Sequence, residues 1–311
     1  MRTLVTGGAG FIGANLVNAL VSAHEVGVID DLSSGTAANF HPRAWNRTMD
    51  ILDERFEALV AEFSPDVVVH LAAQSSVPRS IVDPVFDWTV NVDGTRRVAV
   101  AAVKAGAKRV ISASSAAVYG DPAEVPLRET SATAPVNPYG SSKLAAEAAL
   151  AEELQGTGVD FVSLRFSNVY GPRQNAHGEG GVVSVFCSEL AAGRAPVVLG
   201  GGQQTRDFIY VADVVSAIIA GMDSAAFLGK PGPNGSACNI STGEEVSVNA
   251  LAAALRPIAG FFGSYGEGPA RAGDITRSAL DPGKARDLLR WSPAVTLETG
   301  LAITYRWFSR Q

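Results

Sequence analysis

Tyr139 and Lys143 stand four residues apart in NPYGSSK, residues 137–143. On a helix that spacing puts both side chains on one face. A nearby ammonium stabilises a phenolate and lowers the phenol's pKa. The tyrosine of such a pair can then accept and return protons near neutral pH. The same two residues can also decorate an ordinary helix, and spacing alone does not decide. Their surroundings argue for chemistry. The pair follows SASSAAVYG, residues 112–120, an apolar run that ends in serines where a third hydroxyl could converge.

A second set of residues suits a phosphate. TLVTGGAGFIG, residues 3–13, reads as a strand, a glycine turn and a helix start. Gly7, Gly10 and Gly13 have the spacing GxxGxxG, a variant of the GxGxxG dinucleotide fingerprint. Glycines allow the tight turn and the close approach of backbone to a pyrophosphate, and the helix N-terminus then faces the anion. The plain alternative is an ordinary strand–helix turn. The next apolar run ends in GVIDD, residues 27–31, which places Asp30 and Asp31 where a ribose would lie. A carboxylate there accepts hydrogen bonds from a 2'-hydroxyl and repels a 2'-phosphate, favouring NAD over NADP. The alternative is that both acids merely open the loop DDLSSG.

These residues need a scaffold. Short apolar runs (TLVT, EVGVID, DVVVHLAA, RVISASS, FVSLRF) alternate with segments of helical period such as Phe11–Val21 and Asn91–Lys104. Strands with few polar residues, separated by helices, predict a parallel sheet covered on both faces. Asn137 is a good helix cap and Pro138 suits a first turn, so Tyr139 falls near a helix N-terminus. After about Gly171 the composition changes, and glycine-rich loops become frequent (GEGG, LGGGQQ, GKPGPNGS, GSYGEGP). The expected fold is α/β: a Rossmann-type doubly wound parallel sheet over residues 1–170, with late strands interleaved from 205–245. Residues 171–311 then form mainly a smaller C-terminal α/β substrate domain.

Bulk properties exclude other classes. The 311 residues carry a net charge of -6 with no basic run, which argues against nucleic acid as the main partner. Cys187 and Cys238 are the only cysteines and lie far apart, which suits a reducing cytoplasm and no disulfide framework. No apolar stretch is long enough for a signal peptide or a membrane span, so a soluble cytoplasmic protein is expected. His70 lies in the apolar run VVVHLAA and reads as a core histidine. His24, His41 and His177 have no metal-ligand spacing, and no metal is expected. Trp45, Trp88, Trp291 and Trp307 read as packing residues.

TGGAGFIG, HLAA, SSAAVYG, YGSSK, RFSNVYGPRQ, GEGGVV and TRDFIYVAD together resemble the extended short-chain dehydrogenase/reductase family. Within it the chain resembles nucleotide-sugar epimerases of the UDP-glucose 4-epimerase type, from Thr3 to about Asp281. The resemblance implies bound NAD, a UDP-sugar substrate and a homodimer built on paired helices. The N-terminal part of Val90–Lys104 is a candidate for that interface, although an intramolecular core face suits it equally. Gly7, Gly10, Phe11 and Ile12 would surround the pyrophosphate. Asp30 and Asp31 would hold the adenosine ribose, with Ser33, Ser34 and Gly35 in the adjoining loop. Asp50 and Ile51 would touch adenine, and Leu71, Ala72, Ala73 and Gln74 would line the cofactor. Ser115 and Tyr139 would be catalytic, and Lys143 would bind the nicotinamide ribose and tune Tyr139.

For the substrate, the resemblance implies that Asn168 meets the diphosphate, Arg206 and Arg271 pair with its phosphates, and Asp274 takes the uridine ribose. Val183, Val197 and Leu199 would line the nucleotide pocket, and Ser278 would flank the C2 substituent of the sugar. Two arginines in separate glycine-rich loops suit a diphosphate, because guanidinium groups bind phosphate bidentately. Surface pairing of Arg206 with Asp207, or of Arg271 with Asp274, is the plain alternative. Epimerisation, dehydration and decarboxylation share this scaffold. The dehydratases, and often the decarboxylases, place a carboxylate between the active-site hydroxyl and VYG. Ala116 and Ala117 stand there in this chain. The resemblance therefore implies interconversion of UDP-glucose and UDP-galactose, with N-acetyl forms also open. The alternatives are a UDP-glucuronate 4-epimerase, an NAD(P)-dependent keto-sugar reductase, and a non-catalytic NAD(H)-sensing protein. Intact Ser115, Tyr139 and Lys143 argue against the last.

Overall fold

The computed structural model describes residues 1–176, 181–230, 234–270 and 275–311. The first half alternates strand and helix: β1 (Arg2–Thr6), α1 (Phe11–Leu20), β2 (Glu25–Asp30), β3 (Trp45–Thr48), α2 (Phe56–Phe63) and β4 (Val67–His70). Two short helices follow, α3 (Val77–Val82) and α4 (Pro84–Trp88). A π turn at Thr89–Asp93 joins α4 to α5 (Gly94–Lys104). Then come β5 (Arg109–Ser115), α6 (Pro138–Leu154) and β6 (Asp160–Phe166). The later elements are β7 (Asn168–Tyr170), α7 (Val182–Ala191), β8 (Val197–Leu199), β9 (Thr205–Arg206), β10 (Phe208–Tyr210), α8 (Val211–Asp223), β11 (Ala237–Ile240), β12 (Val246–Ser247), α9 (Val248–Ala259), β13 (Gly266–Gly268), α10 (Gly283–Leu289) and α11 (Leu297–Phe308).

Seven strands form one sheet in the order β11-β6-β5-β4-β1-β2-β3, and every pairing in it is parallel. A parallel sheet needs apolar side chains on both faces, and the strands supply them in alternation. Val5, Val67, Val69, Ile111, Val162 and Leu164 join one core with Leu16, Val17, Val214 and Ile218 from α1 and α8. Their neighbours Leu4, Val68, Val110 and Phe161 face the other core with Phe56, Val60, Val98 and Leu150 from α2, α5 and α6. Full burial of one such side chain is worth roughly 1.5–3 kcal/mol. β11 comes from far along the chain and completes the edge beside β6.

A third core lies outside the sheet. Tyr170, Val183, Phe186, Phe208, Tyr210, Leu251, Leu255 and Leu301 pack together from β7, α7, β10, α9 and α11. Around it sit three two-stranded pairs, β10 with β7, β12 with β9, and β13 with β8. Of the tryptophans, Trp45 lies beside Phe63 with ring centroids 5.2 Å apart, and Trp291 is buried. Trp88 departs from the packing expectation and is 46% exposed. Cys187 and Cys238 are both buried free thiols. No helix among the described residues is long and apolar enough to cross a membrane.

Candidate active site

The strand order reverses between β1 and β4. In open parallel sheets, ligands bind at such a switch point, beyond the carboxyl ends of the strands. Here the turn after β1 lies against the chain leaving β4. Gly7 has φ of +71°, and a Cβ on it would lie 2.6 Å from Ala72 N. A Cβ on Gly13 would lie 2.2 Å from Gly7 O. Neither position admits a side chain. Gly10 caps α1 without any side-chain hydrogen bond, and a Cβ there would meet only Gly7 O, at 3.3 Å. No side chain from these positions therefore covers the first amides of α1, as a pyrophosphate requires. Phe11 and Ile12 begin the helix half-buried.

Asp30 ends β2 as a buried carboxylate. Its Oδ2 accepts from Ala9 N (2.9 Å) and its Oδ1 from Leu32 N (2.8 Å). Burial raises its pKa, and those backbone hydrogen bonds oppose the rise. Asp31 is exposed, and its Oδ1 accepts from the backbone and hydroxyl of Ser33, at 2.9 and 2.6 Å. Ser34 is exposed, and Gly35 lies against Asp30: a Cβ on it would come 3.0 Å from Oδ1. Asp50 is exposed, with Oδ1 accepting from Leu52 N. Ile51 is buried in the second core, so its side chain packs inward beside Asp50. Leu71, Ala72 and Ala73 leave β4 half-buried at the switch point. Gln74 is buried with its amide turned to Asp87 and to the Ser76 backbone. These residues fit a dinucleotide, with backbone, Asp30 and the Asp31–Gly35 loop offering the polar contacts.

Beside this cradle, α6 begins as its sequence predicts. Asn137 Oδ1 accepts from Gly140 N (2.9 Å), and Pro138 holds the first turn. Tyr139 N donates to Ser80 Oγ at 3.1 Å. Ser115, at the end of β5, lies close enough to the Tyr139 hydroxyl to lower its pKa. Ser115 Oγ accepts from Ala117 N at 3.1 Å. Lys143 is buried and its Nζ donates to Ala113 O at 3.1 Å. Ser115, Tyr139 and Lys143 thus converge. The protonation expectation needs correction. Burial raises the Tyr139 pKa, the Ser115 side chain lowers it, and anionic Asp87 raises it. Burial also pushes Lys143 down to about 8, against the pull of Asp87 and Glu147. Desolvation outweighs the helix-face pairing for both groups. His70 is a core histidine between Thr6 Oγ1 (2.8 Å) and Thr95 Oγ1 (3.1 Å), held neutral by burial that lowers its pKa to about 3.

The expected substrate residues are distributed over the third core and its loops. Asn168 is exposed on β7, and its N–H donates to Asp207 O (2.9 Å). That register sets Asn168 beside β10, two residues after Arg206. Arg206 is half-buried, with Nη1 donating to Thr205 O. The buried Asp207 carboxylate accepts from Ser167, Thr242, Gly243 and Leu280, tying three segments together behind Arg206. Val183 is buried in α7, Val197 is 49% exposed, and Leu199 is half-buried at the end of β8. Ser278 is buried just before the Leu127–Leu280 bridge. Arg271 and Asp274 lie outside the described residues.

Two groups were missed in the sequence, the half-buried Glu147 and a buried network around Asp87. Glu147, one turn beyond Lys143 on α6, binds Arg165 at two points and accepts from Ser114 Oγ. Its spacing from Tyr139 and Lys143 was a legible signal. Asp87 and Asn91 form a buried network with Gln74 and Ser142, for which the sequence offers no periodic signal.

A doubly wound sheet with a glycine cradle, beside a serine, a tyrosine and a lysine, is a layout that suits a nucleotide-binding enzyme. Residues 3–235 match the model of the NAD dependent epimerase/dehydratase family, and the chain belongs to that family. Its cofactor is NAD. The chain is 44% identical to the UDP-glucose 4-epimerase of Mycolicibacterium smegmatis, over 99% of this chain and 98% of that one. The structure of the Thermotoga maritima UDP-glucose 4-epimerase with UDP-glucose is similar throughout, with TM-score 0.94 and 37% identity over 100% of this chain and 99% of that one. The UDP-N-acetylglucosamine 4-epimerase of Methanobrevibacter ruminantium, in complex with UDP-N-acetylmuramic acid, gives TM-score 0.91 and 32% identity, covering 99% and 97%.

Proposed function

We propose that this chain is a UDP-sugar 4-epimerase that interconverts UDP-glucose and UDP-galactose by transient oxidation at C4. The observation that carries the reading is the Ser115–Tyr139–Lys143 convergence, followed directly by Ala116 and Ala117 in the turn Ala116–Tyr119. Those two alanines supply no carboxylate for elimination or loss of CO2. Similarity to both UDP-glucose and UDP-N-acetylglucosamine epimerases supports the nucleotide-sugar class.

The cofactor would be held by the Gly7–Gly13 turn, Asp30 and the Asp31–Gly35 loop, with Lys143 at the nicotinamide ribose. Bound NAD supplies the reversible oxidation of C4. In its phenolate form Tyr139 takes the C4 hydroxyl proton, directly or through Ser115; the neutral phenol that burial favours must lose its own proton first. The 4-keto sugar turns within the pocket while Arg206, Asn168 and Arg271 keep its diphosphate anchored. Tyr139 then returns the proton, and the configuration at C4 is inverted. Orientation and proton transfer are the protein's share of this chemistry.

Residues 1–170 with β11 form the cofactor lobe of this reading, and the remainder forms mainly the substrate lobe. The small side chain at Ser278, the position expected to flank C2, supports UDP-N-acetylglucosamine as a second substrate alongside UDP-glucose. A homodimer is supported by Ile81, Val82, Val85 and Trp88 on α3 and α4, which are 58%, 85%, 74% and 46% exposed. Purified protein incubated with a panel of UDP-sugars, without added reductant, tests the reading by chromatography of the products. Interconversion of glucose and galactose forms is expected. Product formed only in a parallel incubation with added NADH or NADPH, which is consumed in proportion, would identify a reductase.

A further inference from the structure

α4 is short, yet it buries a carboxylate. Asp87 is 1% exposed, and acidic side chains reach such positions only in special surroundings. Its Oδ1 accepts from Gln74 Nε2 and, at 3.3 Å, from Asn91 Nδ2. Its Oδ2 is buried and accepts from no described group. Among the described residues no cation lies within ion-pair distance of it. The charge therefore meets only neutral amides.

The network around Asp87 leads to the first turn of α6, against which α4 packs. Asn91 Oδ1 accepts from Gln74 N (2.9 Å), and Asn91 Nδ2 donates to Gln74 O (3.0 Å). The same Nδ2 donates to Ser142 Oγ (3.0 Å), and Ser142 Oγ donates to Tyr139 O (3.0 Å). Asp87, Asn91 and Ser142 thus brace the segment between Tyr139 and Lys143. Two carboxylates act on Lys143 through space, Asp87 and Glu147. Glu147 is already met by Arg165 at 2.8 and 2.6 Å.

We propose that Asp87, joined to the Tyr139 backbone through Asn91 and Ser142, is a positioning residue for the Tyr139–Lys143 pair and the buried anion whose field reaches both, acting without touching substrate. The inference rests on the proposed roles of Tyr139 and Lys143. The other charged groups near the pair are accounted for. His70 on β4 is neutral, and Arg165 on β6 stands behind Glu147. Arg96 on α5 pairs with Glu152 and Glu153 further along α6, and Arg79 on α3 lies over the Phe86 ring. An anion favours the ammonium of Lys143 and disfavours the phenolate of Tyr139, so it raises both pKa values. Its removal lowers both.

Asp87→Asn removes the charge and keeps the shape, whereas Asp87→Glu keeps the charge and alters the shape. In protein stripped of nucleotide, Tyr139 ionisation is read by ultraviolet difference titration, with Tyr139→Phe in each background as the blank. In Asp87→Asn the Tyr139 transition moves to lower pH by about half a pH unit or more. In the holoenzyme, both limbs of the kcat/KM profile move to lower pH together. Asp87→Glu leaves the limbs in place while kcat falls. Should Asp87→Asn fail to fold, Asp87→Ser carries the same expectation. An unmoved Tyr139 transition, or limbs that stay fixed while activity and Tm fall, would overturn the proposal and leave Asp87 a purely structural residue. The nucleotide-free titration needs no sugar, so it tests Asp87 even if no UDP-sugar is turned over. Absence of turnover alone would count against the proposed function and not against Asp87.

Discussion

Glu147 on α6 holds Arg165 on β6 by two hydrogen-bonded contacts, Nε to Oε1 at 2.8 Å and Nη2 to Oε2 at 2.6 Å. Arg165 is fully buried, and its Nη1 also donates to Tyr119 Oη at 2.9 Å. The pair fixes α6 on the sheet one turn beyond Lys143, so it sets the depth at which Tyr139 and Lys143 meet Ser115 and Ala113.

Glu147→Ala leaves the Arg165 guanidinium buried without its anion. Removal of one partner from a buried pair costs about 3–5 kcal/mol. Urea unfolding is expected to show a loss of that order. A loss below about 1 kcal/mol would mean that the pair behaves like a surface ion pair and does not anchor α6.

Tyr139→Phe removes the proton-transfer group and leaves the ring in place. Turnover is expected to fall by about 10²–10⁴-fold, the usual contribution of general acid–base catalysis. Tm and NAD content should stay close to those of the parent. Near-normal kcat would remove Tyr139 from the mechanism.

Asp30 is fixed by Ala9 N and Leu32 N at the end of β2, where a 2'-phosphate would meet its charge. Calorimetry is expected to show NAD binding at least ~10-fold tighter than NADP, about 1.4 kcal/mol, with Asp30→Ser narrowing the gap. Equal affinities in the parent protein would show that Asp30 does not select the cofactor.

Much of the cofactor half was legible because its strands are buried on both faces and its turn is built on glycine. Leu4 and Val5, or Val67, Val68 and Val69, show in sequence the apolar runs that the two cores require. The Tyr139–Lys143 face was equally legible, since four-residue spacing survives in any helix. Their protonation was not, because desolvation is set by elements that pack from elsewhere. β8, β9, β12 and β13 span two or three residues each, too few to show a period. Asp87 was hidden for a related reason. In DPVFDWTVN it reads as the polar face of an amphipathic helix, but the π turn at Thr89–Asp93 breaks the 3.6-residue period. Ile51 came from resemblance to a family pattern, whereas its side chain fills core space beside Gly94.

Ser278→Tyr tests the breadth of the sugar pocket. The parent should turn over both UDP-glucose and UDP-N-acetylglucosamine, and the tyrosine variant should lose kcat/KM for the N-acetyl sugar preferentially. Equal losses on both sugars would show that position 278 is no selective gate, as would a parent protein inactive on the N-acetyl form.

The central claim is that C4 is oxidised and reduced within one site. The direct measurement is mass spectrometry of product formed from UDP-glucose deuterated at C4, in ordinary water and without added reductant. UDP-galactose that retains the deuterium at C4 is expected, because the hydrogen leaves and returns inside the protein. UDP-galactose carrying solvent hydrogen at C4 would contradict the claim, as would recovery of the substrate with no epimer formed.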